Sequence, residues 1–167
     1  MNTNKKKKYF IMNYYQKMDI SGRTIFTQKL IKNGSTEITT TPLDCEVDIL
    51  WTKNNTDYVG ELKCREKYSS TSLNSGLIMM HKYFNVLKYA KDTNRIPYYV
   101  MMFNDDVGYI WRLDNIKLNW KYRYLEDNNT GECKTKRKRW CAEIPFEDGI
   151  RFSFRSFPVT IDDNDIS

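Results

Sequence analysis

The chain has 167 residues, 40% apolar and 29% charged. That is the size and balance of one globular domain with a single core. No apolar run approaches the roughly 18 residues of a membrane span. The basic start, residues 1–8, precedes apolar residues broken by Asn13, Gln16 and Lys17, so a secretory signal is not expected. The expected setting is cytoplasmic (host cytoplasm for a phage-encoded protein).

Charge and cysteines narrow the classes further. Against 21 Asp and Glu stand 27 Lys and Arg, a net charge of +6. Such a balance favours a polyanionic partner, because cations that neutralise phosphates release counterions. The competing reading is a solvated lysine-rich surface. Cys45, Cys64, Cys133 and Cys141 form no C-x-x-C pair, which argues against a zinc ribbon or redox motif and for free thiols.

In chain order, residues 1–8 read as a basic tail and 9–18 as a short aromatic-rich helix. Residues 24–32 read as a second helix, closed by Asn33-Gly34. Residues 37–40 are a first strand and 46–51 a second, and Lys53-Asn54-Asn55-Thr56 is a turn. Residues 57–65 are a third strand, 69–74 a polar loop, and 76–91 a helix with Leu77, Met80, Phe84 and Leu87 at helical spacing. Residues 98–103 and 107–113 form a strand pair. Residues 117–125 and 138–146 alternate as strands of a hairpin with a long polar tip. Residues 151–159 read as a last short strand before an acidic tail, 160–167. The whole reads as one domain, 1–167, carrying a hairpin extension at 117–146.

The densest chemistry lies in two apolar runs. Cys45-Glu46-Val47-Asp48-Ile49-Leu50-Trp51 carries Asp48. Tyr58-Val59-Gly60-Glu61-Leu62-Lys63 carries Glu61 and Lys63. Side chains alternate along a strand, so Glu61 and Lys63 share a face while Leu62 points into the core. Paired as a hairpin, the runs bring two carboxylates and an ammonium to one end of a sheet. Two acids close together repel, and a divalent cation between them removes that cost. A lysine beside the cation can stabilise charge developing on phosphate oxygens.

Asp48, a turn, then Glu61-Leu62-Lys63 resembles the core motif of the PD-(D/E)XK nuclease superfamily, over residues 36–113. The resemblance implies an α/β (α+β) restriction-endonuclease-like fold. Its αβββαβ core has a mixed central sheet, here with an added C-terminal β-hairpin. It implies Asp48, Glu61 and the Leu62 carbonyl as metal ligands, Lys63 as the catalytic lysine, and Mg²⁺ or Mn²⁺ as the cofactor. Two departures stand out. Many members carry an acid in the first helix, and here only Asp19 precedes Glu37. The Pro-Asp pair is also absent, with Pro42 and Asp44 lying before the strand instead.

Further candidates surround this trio. Glu46 shares the expected face of Asp48 and is a candidate ligand. His81, the only histidine, and Lys82 fall on the helix after Glu-x-Lys, within reach of a metal site or merely on its surface. Arg65 and Lys67 follow the active strand and could touch the scissile backbone. Lys134, Lys136, Arg137, Lys138 and Arg139, with Trp140, concentrate cations beside an aromatic. That suits phosphate contact and base stacking, or simply a solvated hairpin tip. The expected function is metal-dependent DNA endonuclease activity in phage or mobile-element repair, recombination or junction processing. RNA is left open as a target, and a homodimer would suit cutting of both strands. The alternatives are a non-catalytic nucleic-acid-binding module on a degenerate nuclease fold, or an interaction subunit of a larger assembly.

Overall fold

Helix α1 runs over Tyr14–Lys32 as one element. The described part of the helix expected at 9–18, residues 14–18, is therefore continuous with that expected at 24–32 through Gly22, whose lack of a side chain is used for packing rather than for a break; residues 9–13 lie outside the described residues. The helix ends on Gly34 in the left-handed region, φ 77°. Ser35 N–H reaches the Leu30 carbonyl and Gly34 N–H the Ile31 carbonyl, satisfying orphan groups of the last turn. The structure is a computed structural model, described here for residues 14–126 and 136–154.

Strand β1 (Thr36–Thr40) pairs antiparallel with β2 (Ile49–Lys53), and β2 with β3 (Thr56–Arg65). Asn54 and Asn55 make the β2–β3 turn at φ 50° and 59°, conformations that asparagine tolerates. Next come β4 (Ser75–Met79), α2 (Met80–Thr93), β5 (Ile96–Phe103) and β6 (Val107–Arg112). The chain then forms β7 (Trp120–Glu126), β8 (Lys136–Pro145) and β9 (Ile150–Ser153).

The main sheet has the order β1-β2-β3-β5-β6-β9. Only the β3–β5 pair is parallel, and it is the central one. The fold is mixed α+β, with the helix, three strands, helix, strand order expected of the restriction-endonuclease-like core. One element departs from that expectation. The helical spacing over 76–91 predicts a single helix, but its first four residues belong to β4. Gly76, Leu77, Ile78 and Met79 pair with Ile144, Glu143, Ala142 and Cys141 of β8. A second sheet results, ordered β4-β8-β7. Apolar residues at 77, 78 and 80 suit either period, and tertiary pairing settles it.

Each face of the main sheet has its own core. On one, α1 packs Ile25, Phe26 and Leu30 against Ile49, Trp51, Leu62, Val100 and Met102. On the other, Val86 and Ala90 of α2 meet Val59, Tyr99, Met101 and Phe103, together with Ile78, Ala142 and Ile144 of the second sheet. Gly22 is what lets α1 lie this close: a Cβ there would collide with Cys64 Sγ on β3. Burial pushes the Cys64 thiol up to about 12, so it stays protonated in the core. Cys45, Cys64 and Cys141 are free thiols, and Cys133 lies outside the described residues. The expected tails at 1–8 and 160–167 and most of the polar hairpin tip also lie outside them. No helix among the described residues is long and apolar enough to cross a membrane.

Candidate active site

Beyond Gly60, β3 runs past the end of β2: the last pair is Ile49 with Gly60. This exposes a strand edge, and Asp48 fills it. Its own N–H bonds the Gly60 carbonyl at 3.0 Å. Its Oδ2 accepts the Leu62 N–H at 2.7 Å. Asp48 thus prolongs the ladder with its side chain and lies against the residue that follows Glu61. N–H and C=O of one strand residue lie on the same edge, so the Leu62 carbonyl faces this gap as well. Asp48 stands just before β2, not on it, and is 4% exposed.

Arg23 completes the Asp48 environment from α1. Its Nη2 lies 2.5 Å from Asp48 Oδ1 and 3.2 Å from Asp19 Oδ2, four residues earlier on the same helix. Its Nη1 donates to the Thr41 carbonyl, and the Thr41 hydroxyl donates to the Val47 carbonyl, which pins the segment leading into Asp48. In the sequence Asp19 stands out only as the one acid before Glu37, and Arg23 belongs to no motif. The available signal was an Asp and an Arg four apart on one helix with glycine between them, which aims both charges where the helix comes nearest the sheet.

Glu61 is 6% exposed. Its Oε1 pairs with Lys82 Nζ of α2 at 2.8 Å, while Oε2 is buried without a partner. Burial, and then the charge of Asp48, push the Glu61 carboxyl up to about 8 despite Lys82. Burial acts against the Lys82 ammonium, but Glu61, Asp48 and Asp19 outweigh it and raise its pKa. Asp19 is raised by burial and then by Asp48. Lys63 is solvent-accessible two residues beyond Glu61, on the same strand face. Crowding by the surrounding protein, and then Arg65, lower its ammonium, with Asp19 and Glu61 opposing.

Asp19, Asp48 and Glu61 therefore meet Arg23, Lys63 and Lys82 in one cluster. The two best-buried carboxylates differ. Asp48 has both oxygens satisfied, whereas Glu61 keeps one oxygen unpaired and its charge undercompensated. Among the described residues no group of three or more His, Cys, Asp or Glu forms a metal cage. The donor set on offer is two carboxylates and one main-chain carbonyl. Hard oxygen ligands of this kind, with an orphaned buried oxygen, fit a small divalent cation that keeps several waters.

The other predicted residues are not brought to the carboxylates. Glu46 is exposed and lies before β2, so the strand alternation expected to align it with Asp48 does not apply. His81 is exposed at the start of α2, and burial and then the cations Lys82 and Arg139 lower its pKa. Lys67 is exposed, with its ammonium 6.0 Å from the Tyr14 ring centre. Arg65 is half-buried beside Lys63, its Nε without a hydrogen-bond partner. Lys136, Arg137, Lys138, Arg139 and Trp140 all fall on β8, and Lys134 lies outside the described residues.

No family model matches the sequence, and no curated protein is matched by it. Among solved structures, the chain is similar to Hjc, a Holliday junction resolvase from the archaeal hyperthermophile Archaeoglobus fulgidus. The TM-score is 0.49 and the identity 12%, over 77% of this chain and 89% of that one.

Proposed function

We propose that this protein is a divalent-metal-dependent nuclease that hydrolyses DNA phosphodiester bonds, in repair, recombination or junction processing. One observation carries the reading. At the open edge of β3 the Asp48 carboxylate accepts the N–H of Leu62, the residue after Glu61; Glu61 Oε2 is buried and unpaired, and Lys63 follows Glu61 on the same strand face. Asp48, Glu61 and the Leu62 carbonyl would hold Mg²⁺ or Mn²⁺. Such an ion supplies a Lewis acid for a phosphate oxygen and lowers the pKa of a bound water.

The remaining work falls to side chains. Arg23 and the Leu62 N–H hold the Asp48 carboxylate in one orientation. Lys82 holds one oxygen of Glu61 and leaves the other for the ion. Lys63 presents its donors to the phosphate as negative charge develops during in-line attack. Arg65 and Lys67, further along the chain, would contact the strand being cut.

A second reading has its own support. Arg23 and Lys82 already sit on the two carboxylates, as they would in a DNA-binding module that never takes up metal. The deciding experiment incubates purified protein with plasmid, single-stranded and branched DNA in Mg²⁺, Mn²⁺ or EDTA. Cleavage that needs the divalent ion, and is lost in Glu61→Gln, supports the nuclease. DNA binding with no cleavage of any substrate supports the binding module.

A further inference from the structure

The β7–β8 hairpin carries two unlike faces. In the register, Tyr122 opposes Trp140 and Tyr124 opposes Lys138, so these four side chains share one face. Arg123 opposes Arg139 and Leu125 opposes Arg137 on the other. The first face begins in the core, where Trp120 packs on Tyr83 and Phe84 of α2 and Ala142 is buried. Toward the tip it leaves the core. Tyr124 is 67% exposed, Tyr122 49% and Trp140 48%. Tyr122 and Trp140 rings lie 4.7 Å apart. Lys138 Nζ lies over both tyrosines, 4.9 Å from the Tyr122 ring centre and 5.5 Å from that of Tyr124.

From this juxtaposition we infer that Tyr122, Tyr124, Trp140 and Lys138 form a stacking platform for unpaired DNA bases, such as those of a single-stranded or branched substrate. The inference rests on the DNA-acting part of the reading above and names the substrate feature this surface would select. Three large aromatic rings held in water on a twisted ribbon are costly for the fold alone. Every nucleobase offers a π-face to such rings. A lysine among the rings suits a phosphate between stacked bases. Lys136 falls on the same face as Lys138, which adds positive charge at the tip end of the platform, while Arg137 and Arg139 lie on the opposite face of the strand. A second copy of the chain is the poorer occupant, because it would bring the same cations against these.

The test measures binding of a labelled oligothymidylate and of a duplex of equal length, in EDTA so that no strand is cut. The variant Tyr122→Ala/Tyr124→Ala/Trp140→Ala should lose about tenfold to a hundredfold affinity for the oligothymidylate. Its duplex affinity should fall less than about threefold. The triple Phe variant at the same positions should keep single-strand affinity within about threefold, since stacking needs rings and not hydroxyls. Tyr124→Ala, at the most exposed position, gives a second reading should the triple Ala variant not fold. Equal losses on single strand and duplex, or no loss on either, would overturn the platform. So would self-association of the wild type that the triple Ala variant abolishes while oligothymidylate binding persists. Wild-type protein that binds neither DNA would instead sink the DNA-acting reading itself.

Discussion

Arg23 of α1 lies 2.5 Å from Asp48, and both side chains are 5% exposed. The pair crosses from helix to sheet edge and ties the candidate site to the packing of α1. Its partners are complete on the Asp48 side, where the other oxygen accepts the Leu62 N–H. Removing one member would strand a buried charge.

Arg23→Met should therefore destabilise the fold by about 3–5 kcal/mol, most of it the cost of leaving Asp48 unpaired. Urea denaturation of Arg23→Met, Asp48→Asn and the double variant gives the coupling directly. A coupling energy near zero would show that the two residues do not act as a pair.

Gly22→Ala should loosen the same junction by sterics. The added methyl collides with Cys64 Sγ on β3, in a core with little room to give. A loss of roughly 1–3 kcal/mol is expected, with cleavage impaired because Asp19 and Arg23 move with the helix. Gly22→Ala/Cys64→Ala should recover much of the stability in thermal melts. Failure to recover would place the strain elsewhere.

Glu61→Gln and Lys63→Ala should each lower cleavage at least about a hundredfold and leave DNA affinity near that of wild type. Lys63 is solvent-accessible, so its truncation should change stability by less than about 0.5 kcal/mol. Single-turnover rates at saturating DNA separate this from a binding defect. Wild-type rates in both variants would mean that the cutting comes from another site or another protein.

Glu61 also predicts a pH dependence. Its carboxyl rises from 4.5 to about 8 on folding. Below about pH 4.5 it is protonated in both states. Between there and about 8 the unfolded carboxyl ionises while the folded one keeps its proton, so its contribution to stability falls as pH rises. Asp19 shifts in the same direction. Metal-free protein should thus melt at lower temperature at pH 8 than at pH 6, and Glu61→Gln should flatten that trend. Divalent metal needs the ionised form, so Mg²⁺ should raise the melting temperature more at pH 8 than at pH 6. A magnesium effect equal at both pH values would exclude Glu61 as a ligand.

The basic strand should govern the salt dependence of binding. Lys134, Lys136, Arg137, Lys138 and Arg139 carry more positive charge than a hairpin needs. Neutralising all five should weaken binding to every duplex sequence alike and reduce the slope of log K against log salt by about three, at roughly 0.9 per phosphate contact. The maximal cleavage rate should hold. An unchanged slope would show that these residues never reach phosphate, and a collapsed rate would show that they position the scissile strand.

The sequence alone determined what depends on local pattern. The Asn54-Asn55 turn, the alternation through Glu61-Leu62-Lys63 and the Gly34 helix stop follow from backbone preferences and period, and each is where the pattern put it. The α+β order of helix, three strands, helix and strands was legible for the same reason. Three things were decided only by tertiary structure. Residues 75–79 became a strand because β8 offered a ladder, and their apolar pattern suited either state. Asp48 left the strand face and turned its carboxylate to the Leu62 N–H, because β2 ends before β3 does, which no residue-level alternation encodes. Arg23 and Asp19 joined the site because Gly22 brings α1 against Cys64, a contact 42 positions apart in the chain and invisible to any local reading.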